Sequence, residues 1–222
     1  MKKRHLSAFI PVQNVEDIIE KCLESIKWVD EIFIVDAYSM DRTVEICNRY
    51  PNVKIVQHEY KNSGAQRSWG MPQVSHDWVF IIDSDEICNK QLKIEIEKIL
   101  SKEKINVDGY RVYIKTKFLG KLQHHDRSLG HLGMRVVRKE SYKNYVLNRV
   151  HSKLALKKVD KINNKKAFLI HEPITKISSH IWKMIRYAEW AAEDMHENGI
   201  RARWYHFVFR PMFKFFIHYF IK

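Results

Sequence analysis

The stretch of this chain best equipped for chemistry is Trp78-Val-Phe-Ile-Ile-Asp-Ser-Asp-Glu86, which sets Asp83 and Asp85 two residues apart at the end of an apolar run. In an extended chain, side chains i and i+2 share a face. Two carboxylates so placed repel one another unless a cation bridges them. A divalent ion carrying a diphosphate does this, because Mg²⁺ and Mn²⁺ take oxygen ligands and leave positions for substrate. An Asp-x-Asp in a surface turn would instead be a capping pair, so the surrounding elements decide its meaning.

Those elements alternate. Leu6–Val12 is a short apolar run, and Val15, Ile18, Ile19, Cys22, Leu23 and Ile26 recur at helical offsets up to Trp28. Glu31–Asp36 is apolar again and ends in an acid. The spacing predicts a helix over Asp41–Tyr50 with Asp41 as N-cap, a strand at Val53–Val56, a short helix at Ala65–Met71 and a fourth strand at Trp78–Ile82. Strands alternating with helices imply right-handed crossovers and a parallel sheet, in which ligands bind beyond the carboxyl ends of the strands. Those ends carry Gln13 and Asn14, Asp36, and Asp83 with Asp85. Asp36 could accept hydrogen bonds from a base or ribose, or cap a loop. Arg67 offers a guanidinium fork for a phosphate or for a strand-end acid.

Beyond residue 100 the pattern loosens. Strands are expected at Gly109–Lys117, Met134–Lys139, Val146–Leu156 and Ala167–Ile170, and a long helix from Ser178 to a stop at Gly199. We expect one domain over residues 1–200, whose pattern changes near residue 100, and a basic tail over 201–222. Charge follows the same division. Residues 1–100 hold 13 Lys/Arg and 16 Asp/Glu, a net of −3, whereas residues 101–222 hold 26 and 10, a net of +16. Cys22, Cys47 and Cys88 form no Cys-x-x-Cys pair, which fits reduced, buried thiols. The first residues lack the long apolar core of a secretory signal, and no run approaches the ~20 apolar residues of a spanning helix. The expected place is the cytoplasm, at the inner face of the cell membrane.

The first hundred residues resemble family 2 glycosyltransferases. The segments that carry this are Ile10-Pro-Val-Gln-Asn14, Trp28-Val-Asp-Glu-Ile-Phe-Ile-Val-Asp36, Ser39-Met-Asp-Arg-Thr-Val-Glu45, Gly64-Ala-Gln-Arg-Ser-Trp69 and Asp77–Glu86. The nearest branch is the lipopolysaccharide-core β-1,4-glucosyltransferase-like one, and a looser likeness continues through Arg149-Val-His151 and Leu169-Ile-His171. The resemblance implies an α/β, Rossmann-like GT-A domain with a mostly parallel central sheet over residues 1–200, its donor-binding half running to 100 and its acceptor half to 200, followed here by a basic amphipathic helical extension. It implies a nucleotide-diphosphate sugar as donor (a UDP-sugar before others), Mg²⁺ or Mn²⁺ on the Asp-x-Asp, and inverting transfer to a hydroxyl of a saccharide or glycolipid. By the same resemblance Pro11, Gln13, Asn14, Asp36, Gln66, Arg67, Asp83 and Ser84 hold the donor. Asp83 and Asp85, with His171 from the second half, are the metal candidates.

Three positions depart from that pattern. Val15 replaces an acid, Tyr38 stands where a glycine or small residue is usual, and Ser152 follows His151 where a glutamate is usual. An inverting transfer needs a general base at the acceptor hydroxyl. Serine does not supply one unaided, which leaves His151, whose ordinary pKa is about 6.5, Asp126 and Glu172. The tail, residues 201–222, has five Lys/Arg, no acid and nine of the chain's 27 aromatics. It suits the interface plane of an anionic membrane, where each basic residue contributes about 1 kcal/mol. A catalytically weakened sugar-nucleotide-binding relative is the alternative raised by Ser152. A nucleic-acid module is the alternative raised by a pI near 9.6. Against the latter, the acids at the strand ends would repel phosphates, and no nucleic-acid-binding motif appears.

Overall fold

Alternation within the first strand organises the molecule. In β1 (Leu6–Val12), Leu6, Ala8, Ile10 and Val12 enter one core while Phe9 enters another, on the opposite face of the sheet. β2 (Glu31–Asp36) divides the same way, Ile32 and Ile34 against Phe33 and Val35. Both faces are therefore covered, which is why these strands read as unbroken apolar runs. The computed structural model describes residues 4–118, 121–122, 131–146, 153–174, 177–201, 203–217 and 219.

Helix α1 (Ile19–Ile26) buries Ile19, Cys22, Leu23 and Ile26 on the first face. It begins later than the apolar spacing predicts. The N–H groups of Val15 and Glu16 donate to Thr43 Oγ1 at 2.8 Å and Asp41 Oδ2 at 3.1 Å, which ties this segment to the loop after β2, and a turn closed by the Ile18 and Ile19 N–H groups on Val15 O at 3.0 Å leads into the helix. α2 (Thr43–Cys47) is likewise shorter than predicted, and Asp41 Oδ1 accepts from the N–H and hydroxyl of Thr43 at its start. β3 (Val53–Gln57) and β4 (Trp78–Ile81) fall where the pattern puts them. α3 (Ser63–Gly70) is capped by Asn62, whose side chain accepts from the Ala65 N–H. It packs so closely on the second face that a Cβ on Gly70 would lie 2.6 Å from the Phe9 ring. β5 (Glu86–Cys88) and α4 (Lys90–Leu100), capped by Asn89, were not foreseen.

The second half supplies β6 (Gly109–Phe118), β7 (Lys121–Leu122), β8 (His131–Arg138), β9 (Tyr145–Val146), β10 (Lys153–Leu154), β11 (Val159–Lys161) and β12 (Phe168–Ile174). The main sheet runs β3-β2-β1-β4-β8-β6-β12-β5, with β7 and β11 also on β6, while β9 and β10 pair separately. β1 to β4 are mutually parallel, β8 and β5 run against their neighbours, and β12 is parallel to β6.

This order has a geometric consequence. Four strand-to-strand steps separate β4 from β5, about 19 Å in a flat sheet. Yet Ile81 and Glu86 are neighbours in the chain, within a reach of at most about 18 Å when fully extended. The Glu86 N–H also bonds Asp83 O at 2.9 Å, shortening that reach to a turn. The sheet must curl until β5 returns beside its own origin. The Cys88 N–H accordingly donates to Ser25 Oγ of α1 at 3.0 Å.

The chain divides into two compact units, Met1–Ile181 and Trp182–Lys222. The second contains most of α5 (Ile177–Glu197) and α6 (Trp204–Phe216). α5 stops as predicted, with Gly199 at φ 69° and the Ile200 N–H closing onto Met195 O.

A buried acid holds the amino ends of the strands. Glu31 accepts from Ser7 Oγ at 2.5 Å, Ser75 Oγ at 2.6 Å and the Ser75 N–H at 2.7 Å. Burial raises its pKa, but these bonds outweigh burial and leave it below the ordinary 4.5. A depressed carboxylate contributes stability above its unfolded pKa and loses it as pH falls through its folded one. Glu31→Gln should therefore cost about 1–3 kcal/mol at pH 7. The gap to the parent should shrink below pH 4.5; urea unfolding at several pH values measures both, and a pH-independent gap would contradict the assignment.

Candidate active site

Two side-chain networks meet at the carboxyl ends of the strands. The first stitches the loops after β1 and β2. Asp36 is fully buried, and its oxygens accept from the Ser39 N–H at 3.2 and 3.1 Å, from Ser39 Oγ at 2.5 Å and from Gln57 Nε2 at 3.2 Å. Ser39 Oγ in turn accepts from the Asn14 N–H at 2.9 Å, and Asn14 Oδ1 accepts from the Met40 N–H at 2.8 Å. Gln13 Nε2 donates to Ala37 O at 3.2 Å. Pro11 lies within β1, beside Val35 in the register. Asp36 thus shapes the rim from within, and the groups facing outward are those of the loop it holds.

Gln66 is buried as well. Its Oε1 lies 2.5 Å from His58 Nδ1, its Nε2 donates to His58 O, and the His58 ring stacks on Trp69 at 4.0 Å. It joins the end of β3 to α3, which aims the neighbouring Arg67 at the Asp-x-Asp turn.

The second network is that turn. Asp83 Oδ1 meets Arg67 at 2.6 Å, and Oδ2 meets Arg135 of β8 at 3.2 Å. Arg135 also holds Glu86 Oε1 at 2.5 Å, while Glu86 Oε2 accepts the Asp83 N–H at 3.0 Å. Burial raises the Asp83 pKa, but the charges of Arg67 and Arg135 outweigh it and hold the carboxyl well below the usual range. For Glu86, at 1% exposure, burial prevails over the Arg135 charge and pushes the pKa up to about 7. Arg135 Nε is buried with no hydrogen-bond partner among the described residues.

Asp85 stands apart from this cluster. Its Oδ2 lies 3.2 Å from His171 Nε2, and its carbonyl accepts the Glu172 N–H at 2.8 Å. β12 places His171 there by pairing with β5, His171 opposite Glu86. Burial lowers the His171 pKa, but the bond to Asp85 outweighs it and holds the imidazole above its ordinary value. Glu172 is engaged by Lys117 at 2.5 Å and Lys21 at 3.9 Å. Ser84 lines the small recess beside Asp85 and Glu172.

Is there a fit for a divalent ion? One carboxylate oxygen and one imidazole nitrogen 3.2 Å apart have the separation of adjacent ligands on an ion with bonds of about 2.1 Å. No third His, Cys, Asp or Glu joins them among the described residues. Two protein ligands with the remaining positions open suit an ion that also binds substrate phosphates. Asp83, committed to two guanidinium groups, fits that role less well.

The turn thus brings together Asp83, Asp85, Arg67 and His171, as the sequence suggests. Asp36, Asn14 and Gln13 form a neighbouring rim. His151, Asp126 and Ser152 lie outside the described residues. Arg135 and Glu86 were missed. The available signal was a single arginine inside the apolar run Met134-Arg-Val-Val137, where a charge on a buried strand requires a buried partner.

A family model described as glycosyl transferase family 2 matches residues 7–165. The chain belongs to glycosyl transferase family 2. It is 26% identical over 213 residues to the lipopolysaccharide core biosynthesis glycosyltransferase LpsC of Rhizobium meliloti, covering 94% of this chain and 78% of that one. It is 34% identical over 111 residues to an uncharacterized glycosyltransferase of Rickettsia bellii, half of this chain but only 37% of that relative's length. Among solved structures, S. aureus TarS 1-349 in complex with UDP-GlcNAc superposes with a TM-score of 0.60 at 19% identity, over 78% of this chain and 59% of that one. Glucosyl-3-phosphoglycerate synthase from Mycobacterium tuberculosis, with Mn²⁺, UDP and glucosyl-3-phosphoglycerate, superposes at 0.56 and 18% identity, over 90% and 81%. These likenesses establish the GT-A fold of this family 2 glycosyltransferase, close to the lipopolysaccharide-core branch.

Within the family 2 domain the buried charges should dominate local stability. Arg135→Leu strands Glu86 and leaves Asp83 on Arg67 alone, and should cost about 3–5 kcal/mol. Lys98→Ala, which removes only the exposed partner of Glu95, should cost under about 0.5 kcal/mol. Chemical denaturation of both variants compares the two, and equal costs would show that the Arg135 cluster is not a buried ion network.

Proposed function

We propose that this protein is a metal-dependent inverting glycosyltransferase that moves a sugar from a UDP-sugar to a hydroxyl of a saccharide or glycolipid acceptor in surface-glycan assembly, lipopolysaccharide first among them. The observation that carries this reading is the pairing of Asp85 with His171 beside a clamped Asp83, at the carboxyl ends of parallel strands. Similarity to LpsC over nearly the whole chain points to the acceptor class. The Mn²⁺ and UDP named in a fold neighbour's complex suit the donor.

In this reading Asp85 and His171 hold the ion, which supplies positive charge to the departing diphosphate. Asp83, fixed by Arg67 and Arg135, presents a rigid acceptor for the donor's ribose, and Ser84 lies between the two acids. Pro11, Gln13, Asn14, Asp36 and Gln66 build the nucleotide rim. The acceptor oxygen attacks the anomeric carbon as its proton passes to a base and the bond to the diphosphate breaks, which inverts the configuration. Lys117 and Lys21 already engage Glu172, so the base falls to His151 or Asp126.

Isothermal titration of UDP with and without Mn²⁺ tests the site. Asp85→Ala and His171→Ala should each abolish the Mn²⁺-dependent gain in affinity and lower transfer from a UDP-sugar by at least about 100-fold. Asp83→Asn should retain Mn²⁺ binding. Wild-type transfer that proceeds equally in a chelator would refute the metal assignment.

We further propose that residues 201–222 lie on the anionic cytoplasmic face of the cell membrane. No helix among the described residues is long and apolar enough to cross one. Helix α6 nevertheless exposes Trp204, Phe207, Phe209, Phe213 and Phe216, with Arg210 and Lys214 among them. Interfacial helices combine these features, and basic residues there contribute about 1 kcal/mol each. Sedimentation with phosphatidylglycerol vesicles should fall at least tenfold when residues 201–222 are removed, and should weaken with salt. Undiminished sedimentation would refute the tail's role.

A further inference from the structure

Among the described residues, two that are not glycine have positive φ: Asn14 at 50° and Tyr38 at 54°. They stand opposite one another at the site's rim. Asn14 comes two residues after the end of β1 and Tyr38 two after the end of β2, and the Ala37 N–H bonds Val12 O at 2.9 Å between them.

The two positions are not equally easy to hold. Asparagine tolerates the left-handed region because its short amide bonds nearby backbone, and Asn14 Oδ1 does accept from the Met40 N–H. A tyrosine has no such compensation, and its Cβ crowds the following carbonyl. Glycine would occupy this conformation without penalty. What keeps Tyr38 there is the pinning of its neighbours. Ser39 is fixed by four contacts, three to Asp36 and one from Asn14, so the backbone is over-determined. The ring does not offset the strain by packing, since Tyr38 is 56% exposed and Met40, beyond it, 92%. Strain held without local return, at the mouth of a site, is the signature of a group used when a ligand arrives.

The geometry points to Tyr38 as the residue that contacts the donor's nucleobase, offering its ring as an aromatic wall beside the Asp36 loop and so selecting nucleoside diphosphates over bare diphosphate. This rests on the reading of the strand ends as the donor site. A base presents a flat π face, and removing an aromatic partner from such a stack weakens binding by roughly 5- to 100-fold. Diphosphate, bound through the ion and cationic side chains, should not sense the ring.

The test uses the full chain with Mn²⁺, titrated with UDP and separately with inorganic pyrophosphate, for the parent, Tyr38→Phe and Tyr38→Gly. Tyr38→Phe should bind UDP within about twofold of the parent. Tyr38→Gly should bind UDP at least about fivefold more weakly, bind pyrophosphate unchanged, and melt at the same or a higher temperature, since glycine relieves the strain. Unchanged UDP affinity in Tyr38→Gly overturns the inference and leaves the donor site standing. Equal loss of UDP and pyrophosphate, or a clear drop in melting temperature, overturns it by making Tyr38 a support of the loop. A parent protein that binds neither ligand overturns the donor site and this inference together.

Discussion

The turn between β4 and β5 is the constraint on which the rest of this molecule depends. A curled sheet needs a seam, and here the seam is Ile82-Asp-Ser-Asp-Glu86, joining the middle of the sheet to its far edge. Three acids in four residues at a closure would drive it apart by mutual repulsion. Two guanidiniums from different elements, Arg67 of α3 and Arg135 of β8, prevent that. Their arrival depends on almost everything else: on Gln66 fixing α3, on Gly70 letting α3 approach Phe9, and on β8 running antiparallel between β4 and β6.

The same seam explains why two carboxylates in one short motif have unlike fates. Asp83 has both oxygens on arginines and is held well below the ordinary carboxylate pKa once burial is overcome. Its charge is committed to closing the sheet. Among the described residues Asp85 is paired with His171, and it keeps coordination capacity. A buried ion network is a poor source of net stability but a strong source of geometric definition, because removing any one member leaves another charge stranded. The motif therefore holds one acid that makes the site rigid and one that remains available for an ion.

Local pattern made much of this readable. β1, β2 and β4 were legible because both faces of the sheet are covered there, so burial appears as continuous apolar runs, while β3, at the edge, carries the apolar residues of a half-exposed strand. His171 was expected just past a strand ending at Ile170, and it lies instead within β12, paired opposite Glu86. What escaped was non-local or brief. β5 has three residues and opens with a buried glutamate, a poor strand signal, and its partner β12 lies more than eighty residues away. Arg135, inside an apolar run, signals a buried partner, but only the curl shows that the partners are Asp83 and Glu86. The regular part of α1 starts only at Ile19, and the residues before it are tied to the loop before α2 through Asp41 and Thr43, partners that helical periodicity does not reveal. Helix α4, with Leu92, Ile96, Ile99 and Leu100 on one face behind an Asn89 cap, shows helical spacing, and the terse alternation Lys-Ile-Glu-Ile-Glu obscured it.

The uneven charge of the chain also takes on a structural meaning. Residues 1–100 are acidic and 101–222 basic, yet they are not laid side by side: along the sheet β4, β8, β6, β12 and β5 interleave the two halves, and β5 of the first half pairs only with β12 of the second. Opposite charges are thereby brought into contact where the sheet needs them. Arg135 meets Asp83 and Glu86, Lys21 lies 3.9 Å from Glu172, and His171 meets Asp85. Interleaving forces each carboxylate at the seam to meet a group from the other half. A candidate ion site with one ligand from each half is then a consequence of strand order, because no arrangement of β4 and β5 alone could bring a histidine to Asp85.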